Sequence, residues 1–442
     1  MSDQTGTLVP PCTAAEKSAQ PALTAEQVLR DYLKKNSPRY RELCEIRKEV
    51  IIQVCHNFVN GCLSSSPIPA FANQRQVSED TAADEEYARR RFQKTVKPQT
   101  RQQKAYLDAD YEACNDLNDY KQIFKILKAS SDPSVLDMGI AQGGFAKSVL
   151  NRCGNVKVKG ISMPSEEGGP SVLFKHKRLS VVFQNVGKPA GHPGESSAIP
   201  DKHPAAKPPT LETLLETDEL YDLVFCHSKP VRGARSNQGS EGNEQPAEKE
   251  PGQSNIRGSW NKSRDCRRLR LAELVIGMEH LKDNGTMVVS MRKLDTLDTA
   301  LLIKCFKGFS KVSLFKPEKS HQKTASSFLV AQNIRTRGEK AAQAIRAWNE
   351  EWQGMILKDA GVAAGGSEDC ADEVVENARQ LVQEFGKTLV NVTRVPCSVQ
   401  ARALRLFLEM AQKRSSRRAA HLNQKRRRRP LVVESVGSTA MP

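Results

Sequence analysis

The stretch Ser134–Leu150, SVLDMGIAQGGFAKSVL, constrains the chain more than any other. An apolar run ends in an acid, a glycine turn follows, and a run of helical character comes next. A buried strand that turns through glycine into a helix is the opening unit of an open parallel sheet. In such sheets ligands sit outside the carboxyl ends of the strands, at the point where strand order reverses. Gly139, Gly143 and Gly144 let the backbone approach a ligand closely. The helix that follows offers free N–H groups and the positive end of its dipole. Asp137 can accept from a ligand ammonium or hydroxyl, or cap the turn. The spacing is neither GxGxxG nor a Walker A loop, so it disfavours a nicotinamide or nucleoside-triphosphate site. The plainer alternative is a tight turn with packing glycines.

The rest of the chain is consistent with that unit. From Ser134 onward apolar strands alternate with amphipathic helices: SVLDMG, VKVKGISM, LSVVFQNV, ELYDLVFCHS and TMVVSM are predicted strands. LRLAELVIGMEHL is a predicted helix with Leu271, Leu274, Val275, Met278 and Leu281 on one face, closed by KDNG with Gly285 as its left-handed cap. LDTALLIKCFKGFS is another, capped by Asp298 or Thr299, with Leu301, Leu302, Cys305, Phe306 and Phe309 inward. KVSLF and SSFLVAQNI close the region as a hairpin. The expected fold class is α/β, an open and mostly parallel Rossmann-like sheet with helices on both faces.

Helical extensions flank this unit. Residues 1–24 are predicted to be disordered, 25–130 helical and basic, 131–335 the α/β domain, 336–412 helical, and 413–442 a basic disordered tail. Within the domain, 187–209 and 232–262 are rich in Pro, Gly, Ser and Asn and are read as disordered inserts. In the C-terminal helices Ile345, Trp348 and Trp352 form one stripe, read as core. The net charge of +16 favours an anionic partner such as nucleic acid, although a solvated basic tail gives the same sum. Lys316, Lys319 and Lys323, with His321, stand in the loop KPEKSHQKT beside the expected ligand crevice and are candidate RNA contacts. The basic stretch YARRRFQKTVKPQTRQQK could extend that surface. The runs Lys413–Arg418 and Lys425–Arg429 read as nuclear import or RNA affinity. The 11 cysteines form no CxxC pair and no zinc spacing, so no metal is expected and the thiols suit a reducing compartment. No signal-peptide profile and no membrane-spanning run are read, so the expectation is a soluble intracellular protein, nuclear or cytoplasmic.

VLDMGIAQGGFAK resembles the S-adenosylmethionine loop of the FtsJ-like (RrmJ-like) ribosomal RNA 2′-O-methyltransferases. YDLVFCHSKP is similar to their fourth strand, LRLAELVIGMEHLKDNGTMVVSM to the next helix and fifth strand, and SLFKPEKSHQKTASSFLVAQN to their final hairpin. The wider arrangement resembles fungal FtsJ-domain proteins, and the likeness covers about residues 131–335. It implies S-adenosylmethionine as methyl donor and a ribose 2′-hydroxyl as acceptor. It places Asp137, Gly139, Gly143, Gly144 and Phe145 on the cofactor loop, with Gln142 where the family has Pro. The acid that ends the family's second strand and holds the cofactor ribose is Ser162 here, with Glu166 or Glu167 as a substitute. The family's Lys-Asp-Lys-Glu catalytic set maps to Lys121 or Lys125, then His227, Ser290 and Ser326, a degenerate tetrad. His227 and Lys293 are therefore the candidate catalytic groups, His227 as a base and Lys293 as an amine at the strand end. The resemblance leaves two readings: an RNA methyltransferase, or an inactive relative serving as an RNA or protein scaffold.

Overall fold

A computed structural model describes residues 23–62, 99–188, 215–228, 254–359 and 371–427. The predicted N-terminal disorder up to residue 22, both inserts between 189–209 and 232–253, most of the YARRRFQKTVKPQTRQQK stretch, and the end of the basic tail lie outside these residues.

The seven strands are β1 (Ser134–Met138), β2 (Lys157–Ser162), β3 (Leu179–Phe183), β4 (Tyr221–Cys226), β5 (Leu281–Met291), β6 (Lys311–Phe315) and β7 (Ser327–Ile334). They form one sheet in the order β3-β2-β1-β4-β5-β7-β6. β1 to β5 run parallel, and β7 lies antiparallel to both β5 and β6. The strand order reverses between β1 and β4, and the crevice of such a sheet opens there. All of β4 and four of five residues of β1 are buried, as strands covered on both faces must be.

The period-2 alternation of the strands divides the core in two. Val135, Leu223 and Phe225 pack with α3 (Gln99–Lys121), α4 (Lys125–Ala129) and α5 (Gly144–Arg152). Leu136, Met138, Val224 and Cys226 pack on the opposite face with α6 (Ser254–Glu279) and α7 (Leu297–Lys307). The same cluster takes in α1 (Ala25–Asn36), α2 (Pro38–Cys62), α8 (Glu339–Asp359) and α9 (Ala371–Arg427). The flanking helices are thus part of the domain's core. Trp352 is fully buried and Trp348 lies 5.6 Å from the Phe306 ring, as the apolar stripe predicted. Tyr40 donates from its hydroxyl to the buried Asp295 at 2.8 Å, and Arg30 pairs with the same carboxylate, which ties α1 and α2 to the loop after β5.

The N-terminal stretch is helical as expected and divides into α1 and α2, because the Ser37 hydroxyl accepts from Tyr40 N–H and Pro38 starts the second helix, where its missing donor costs nothing. Several local expectations need correction. The left-handed residue of KDNG is Asn284, at φ 64°, and this stretch lies inside β5 at a register shift. α7 is capped by Thr296, whose hydroxyl accepts from Thr299 N–H, and Leu301 faces outward. The C-terminal helix α9 runs unbroken from Ala371, with Pro396 inside it. It continues to Arg427, past residue 412 where the disordered tail was expected; Arg, Lys, Gln and Ala are all good helix formers when their side chains reach water. Likewise α6 begins at Ser254, within the 232–262 insert.

Candidate functional site

A cleft of about 330 Å³ opens at the carboxyl ends of β1, β2 and β4. That volume lies in the range of small-molecule sites. Its floor is Gly139, Ala141 and Gln142, directly after β1. One wall is Ile161, Ser162 and Met163 at the end of β2; Gln184, Asn185 and Val186 follow β3. Tyr106 of α3, Pro170, Leu269 of α6, and His227 and Ser228 after β4 complete it. Apolar surfaces for a flat ring therefore face amide and hydroxyl groups that can bond its edge. Among the described residues, His227 and the Tyr106 phenol are the ionisable side chains that line the cleft.

His227 and Ser228 leave β4 on opposite faces, and each meets a buried carboxyl. On the α5 side His227 Nε2 lies 2.6 Å from Asp137 Oδ1, with Asp137 fully buried. The Phe145 ring stacks on the imidazole at 4.5 Å. A carboxylate at this distance holds the proton on Nε2 and makes Nδ1 the basic nitrogen. Asp137 Oδ2 is buried without a hydrogen-bond partner among the described residues, an acceptor left for a donor at the strand tip. On the α6 side Glu273 accepts from Ser228 N–H at 2.9 Å. Burial pushes the Glu273 carboxyl up to about 7, against the opposing pull of the Ser228 hydrogen bonds and of His227 and Arg270. Glu273 carried no signal in the sequence, where it sits inside an ordinary amphipathic helix.

The glycines have distinct tasks. Gly139 has φ 84°, and a Cβ there would stand 2.5 Å from the Ser228 backbone, so the glycine lets the β1 and β4 tips close on one another. Gly143, at φ 103°, is the left-handed cap of α5 and packs against Phe174. A Cβ on Gly144 would stand 2.5 Å from the Leu107 carbonyl oxygen, which makes it the crossing point of α3 and α5. Of the five predicted cofactor-loop residues, Gly139 alone lines the cleft; Asp137 and Phe145 buttress His227, and Gly143 and Gly144 shape the turn behind it.

The other candidates fall elsewhere. Lys293 follows β5 and is not among the residues around the cleft. Ser290 sits in the β5–β7 ladder opposite Phe328, and Ser326 bonds Thr324 in the hairpin loop. Lys121 lies at the far end of the sheet, where its carbonyl accepts from Gln332, and Lys125 is in α4 leading into β1. Glu166 is exposed at the surface. Burial raises the Glu167 carboxyl, but Asn185 and Lys188 outweigh it and hold the group below its ordinary value, so it serves a surface network.

Lys316 is corrected most sharply. It is only 2% exposed, and its Nζ donates to the carbonyl oxygens of His321, Thr324 and Ser326 at 3.2, 2.5 and 2.7 Å. It organises the hairpin loop from within and presents no ammonium to a phosphate. Lys319 is on the surface, 3.7 Å from Asp116, and Lys323 lies over the Phe407 ring of α9. Among the described residues no group of three or more His, Cys, Asp or Glu could hold a metal ion, and no helix is long and apolar enough to cross a membrane.

Residues 116–334 match the family model of FtsJ-like methyltransferases. Similar solved structures include a protein named as a ribosomal RNA methyltransferase from Plasmodium falciparum, at 17% identity and a TM-score of 0.32, covering 50% of this chain and 97% of that one. Another is an O-methyltransferase family protein from Burkholderia thailandensis, at 11% identity and a TM-score of 0.28, covering 70% of this chain and 72% of the other. No curated protein matches the sequence. The segment that matches this family model runs from the end of α3 through β7 and so takes in all seven strands named above and the loops after β1, β2, β3 and β4 that line the cleft.

Proposed function

We propose that the cleft binds S-adenosylmethionine and that the domain methylates RNA at a ribose 2′-oxygen. The carrying observation is the Asp137–His227 pair at the cleft wall, 2.6 Å apart and buried. The cleft fits the cofactor: Ile161, Val186 and Leu269 offer apolar surface to an adenine ring, and Ser162, Gln184 and Asn185 offer polar partners to its edge and ribose. When bound, S-adenosylmethionine supplies an electrophilic methyl group on a sulfonium.

A ribose hydroxyl is a weak acid and must lose its proton as it attacks. His227 takes that proton on Nδ1, while Asp137 orients the ring and stabilises the imidazolium. Phe145 stacked on the ring fixes its plane. This replaces the lysine-centred proton transfer that the family resemblance implies.

A second reading is favoured by one specific observation. Among the described residues no lysine lines the cleft, and serines stand at the positions aligned with the family's second lysine and its glutamate. On that reading the domain binds cofactor and RNA as a scaffold without turnover.

Methyl transfer from tritiated S-adenosylmethionine to total RNA separates the two. The enzyme reading expects incorporation that falls on the order of 10²-fold or more in His227→Gln. An unchanged rate in that variant overturns the role of His227. Cofactor binding by wild type with no incorporation into any RNA leaves the scaffold reading.

A further inference from the structure

Outside the family domain a second concave feature lies between α2 and α9. It is a groove of about 240 Å³ lined by Arg39, Glu42, Ser398, Arg402 and Arg405. Three guanidinium groups thus share a small recess with one carboxylate. Glu42 accepts from Arg405 at 2.7 Å and from Arg39 at 3.1 Å, and the Arg405 hydrogen bond, ahead of Arg39, keeps its carboxyl below the ordinary value despite some burial. Among the described residues Arg402 pairs with Glu318, at 3.9 Å. With Glu42 ionised, the recess keeps a net positive charge. The three arginine side chains are 53, 64 and 56% exposed, so their remaining N–H donors reach solvent.

The position of the groove matters as much as its charge. Phe315 of β6 pairs with Phe328 of β7, and Ser327 of β7 pairs with Met291 at the end of β5. The hairpin loop 316–326 therefore sits at the same end of the sheet as the cofactor cleft. α9 is fastened to that loop: Gln400 donates to the Lys323 carbonyl at 3.3 Å, and the Lys323 ammonium lies over Phe407. Cleft, hairpin and arginine groove follow one another along one end of the molecule. Beyond the groove α9 continues with Lys413, Arg414 and Arg417, all exposed.

We propose that the groove of Arg39, Arg402 and Arg405 binds backbone phosphates of the RNA whose acceptor nucleotide enters the cleft. A guanidinium fork grips phosphate oxygens in pairs, and a cluster of three on a rigid two-helix seat fixes the strand's path rather than merely attracting it. The inference rests on RNA being the substrate, as proposed above.

The test is fluorescence anisotropy of a labelled single-stranded RNA with the full chain over a range of salt. The variant is the triple Arg39→Gln, Arg402→Gln, Arg405→Gln. Three lost phosphate contacts should weaken binding at least tenfold at low salt and flatten the slope of log K against log salt by about 2. Calorimetric binding of S-adenosylmethionine should be unchanged, which shows that the domain is intact. Arg402→Glu alone, a single change at a side chain 64% exposed, should weaken binding in the same direction and serves if the triple variant does not fold. Equal RNA affinity and salt slope in wild type and variants overturn the groove while leaving the RNA substrate standing. No RNA binding by wild type removes both. Competition by poly-glutamate as effective as by RNA overturns the phosphate assignment in favour of an acidic protein.

Discussion

Replacing Glu273 by Gln isolates one buried charge next to the site. The carboxyl lies 3% exposed on α6 and accepts from Ser228 N–H, and burial raises it from 4.5 to about 7. A folded state that holds its proton more tightly than the unfolded chain is most stable, relative to that chain, at low pH. Stability from this group is intact below about pH 4.5 and drains away as pH rises to about 7, after which it is constant. The interval corresponds to about 3 kcal/mol at ~1.4 kcal/mol per pH unit. Gln has nearly the same shape and keeps an oxygen to accept from Ser228, but it never ionises. The variant should therefore match wild type near pH 5 to within about 1 kcal/mol and exceed it by about 3 kcal/mol near pH 8. At roughly 2–4 °C per kcal/mol for a domain of this size, that is a gain in Tm of about 6–12 °C at the higher pH. Urea unfolding and thermal melts over that pH range provide the readout. A difference between the two proteins that does not change with pH would refute the reasoning, since it would mean that Glu273 titrates alike in both states.

Two further substitutions test the local architecture. Gly139→Ala forces a side chain onto a backbone at φ 84° and against the Ser228 backbone at 2.5 Å, so it should cost about 1–3 kcal/mol in strain and abolish cofactor binding; a variant that binds normally would show the β1 and β4 tips to be loosely set. Lys316→Met removes the charged donor from three carbonyl oxygens, which should lower stability by at least about 2 kcal/mol and speed hydrogen exchange in 316–327; unchanged exchange would show that the loop is held by other contacts.

The sheet was legible because buried parallel strands announce themselves as short apolar runs, and VLDM, LVFC and MVVSM differ from the helical spacing around them. The helical extensions were legible too, but not their docking, which depends on pairs such as Tyr40 with Asp295, 255 residues apart. At the site, His227 was singled out only through the family resemblance, which aligns it with the catalytic acid; its place after an apolar strand carries no such signal. Its partner Asp137 was read as a ligand residue, because no pattern in one sequence shows that the tips of β1 and β4 adjoin at that register. Gln184 and Asn185 follow a weakly apolar strand, and Glu273 lies on a helix whose other residues explain themselves. Lys316 reads as a surface lysine in any composition argument; only the curl of its own loop turns three carbonyls onto it. Short-range signals were visible, and contacts set by how distant segments fold together were not.

Calorimetric titration of the full chain with S-adenosylmethionine tests the central claim most directly. A saturable heat that disappears in Gly139→Ala is the result expected of a cleft built for that cofactor. Absence of any heat up to high micromolar cofactor, with the protein folded, would contradict it and leave an open α/β sheet whose crevice serves another ligand.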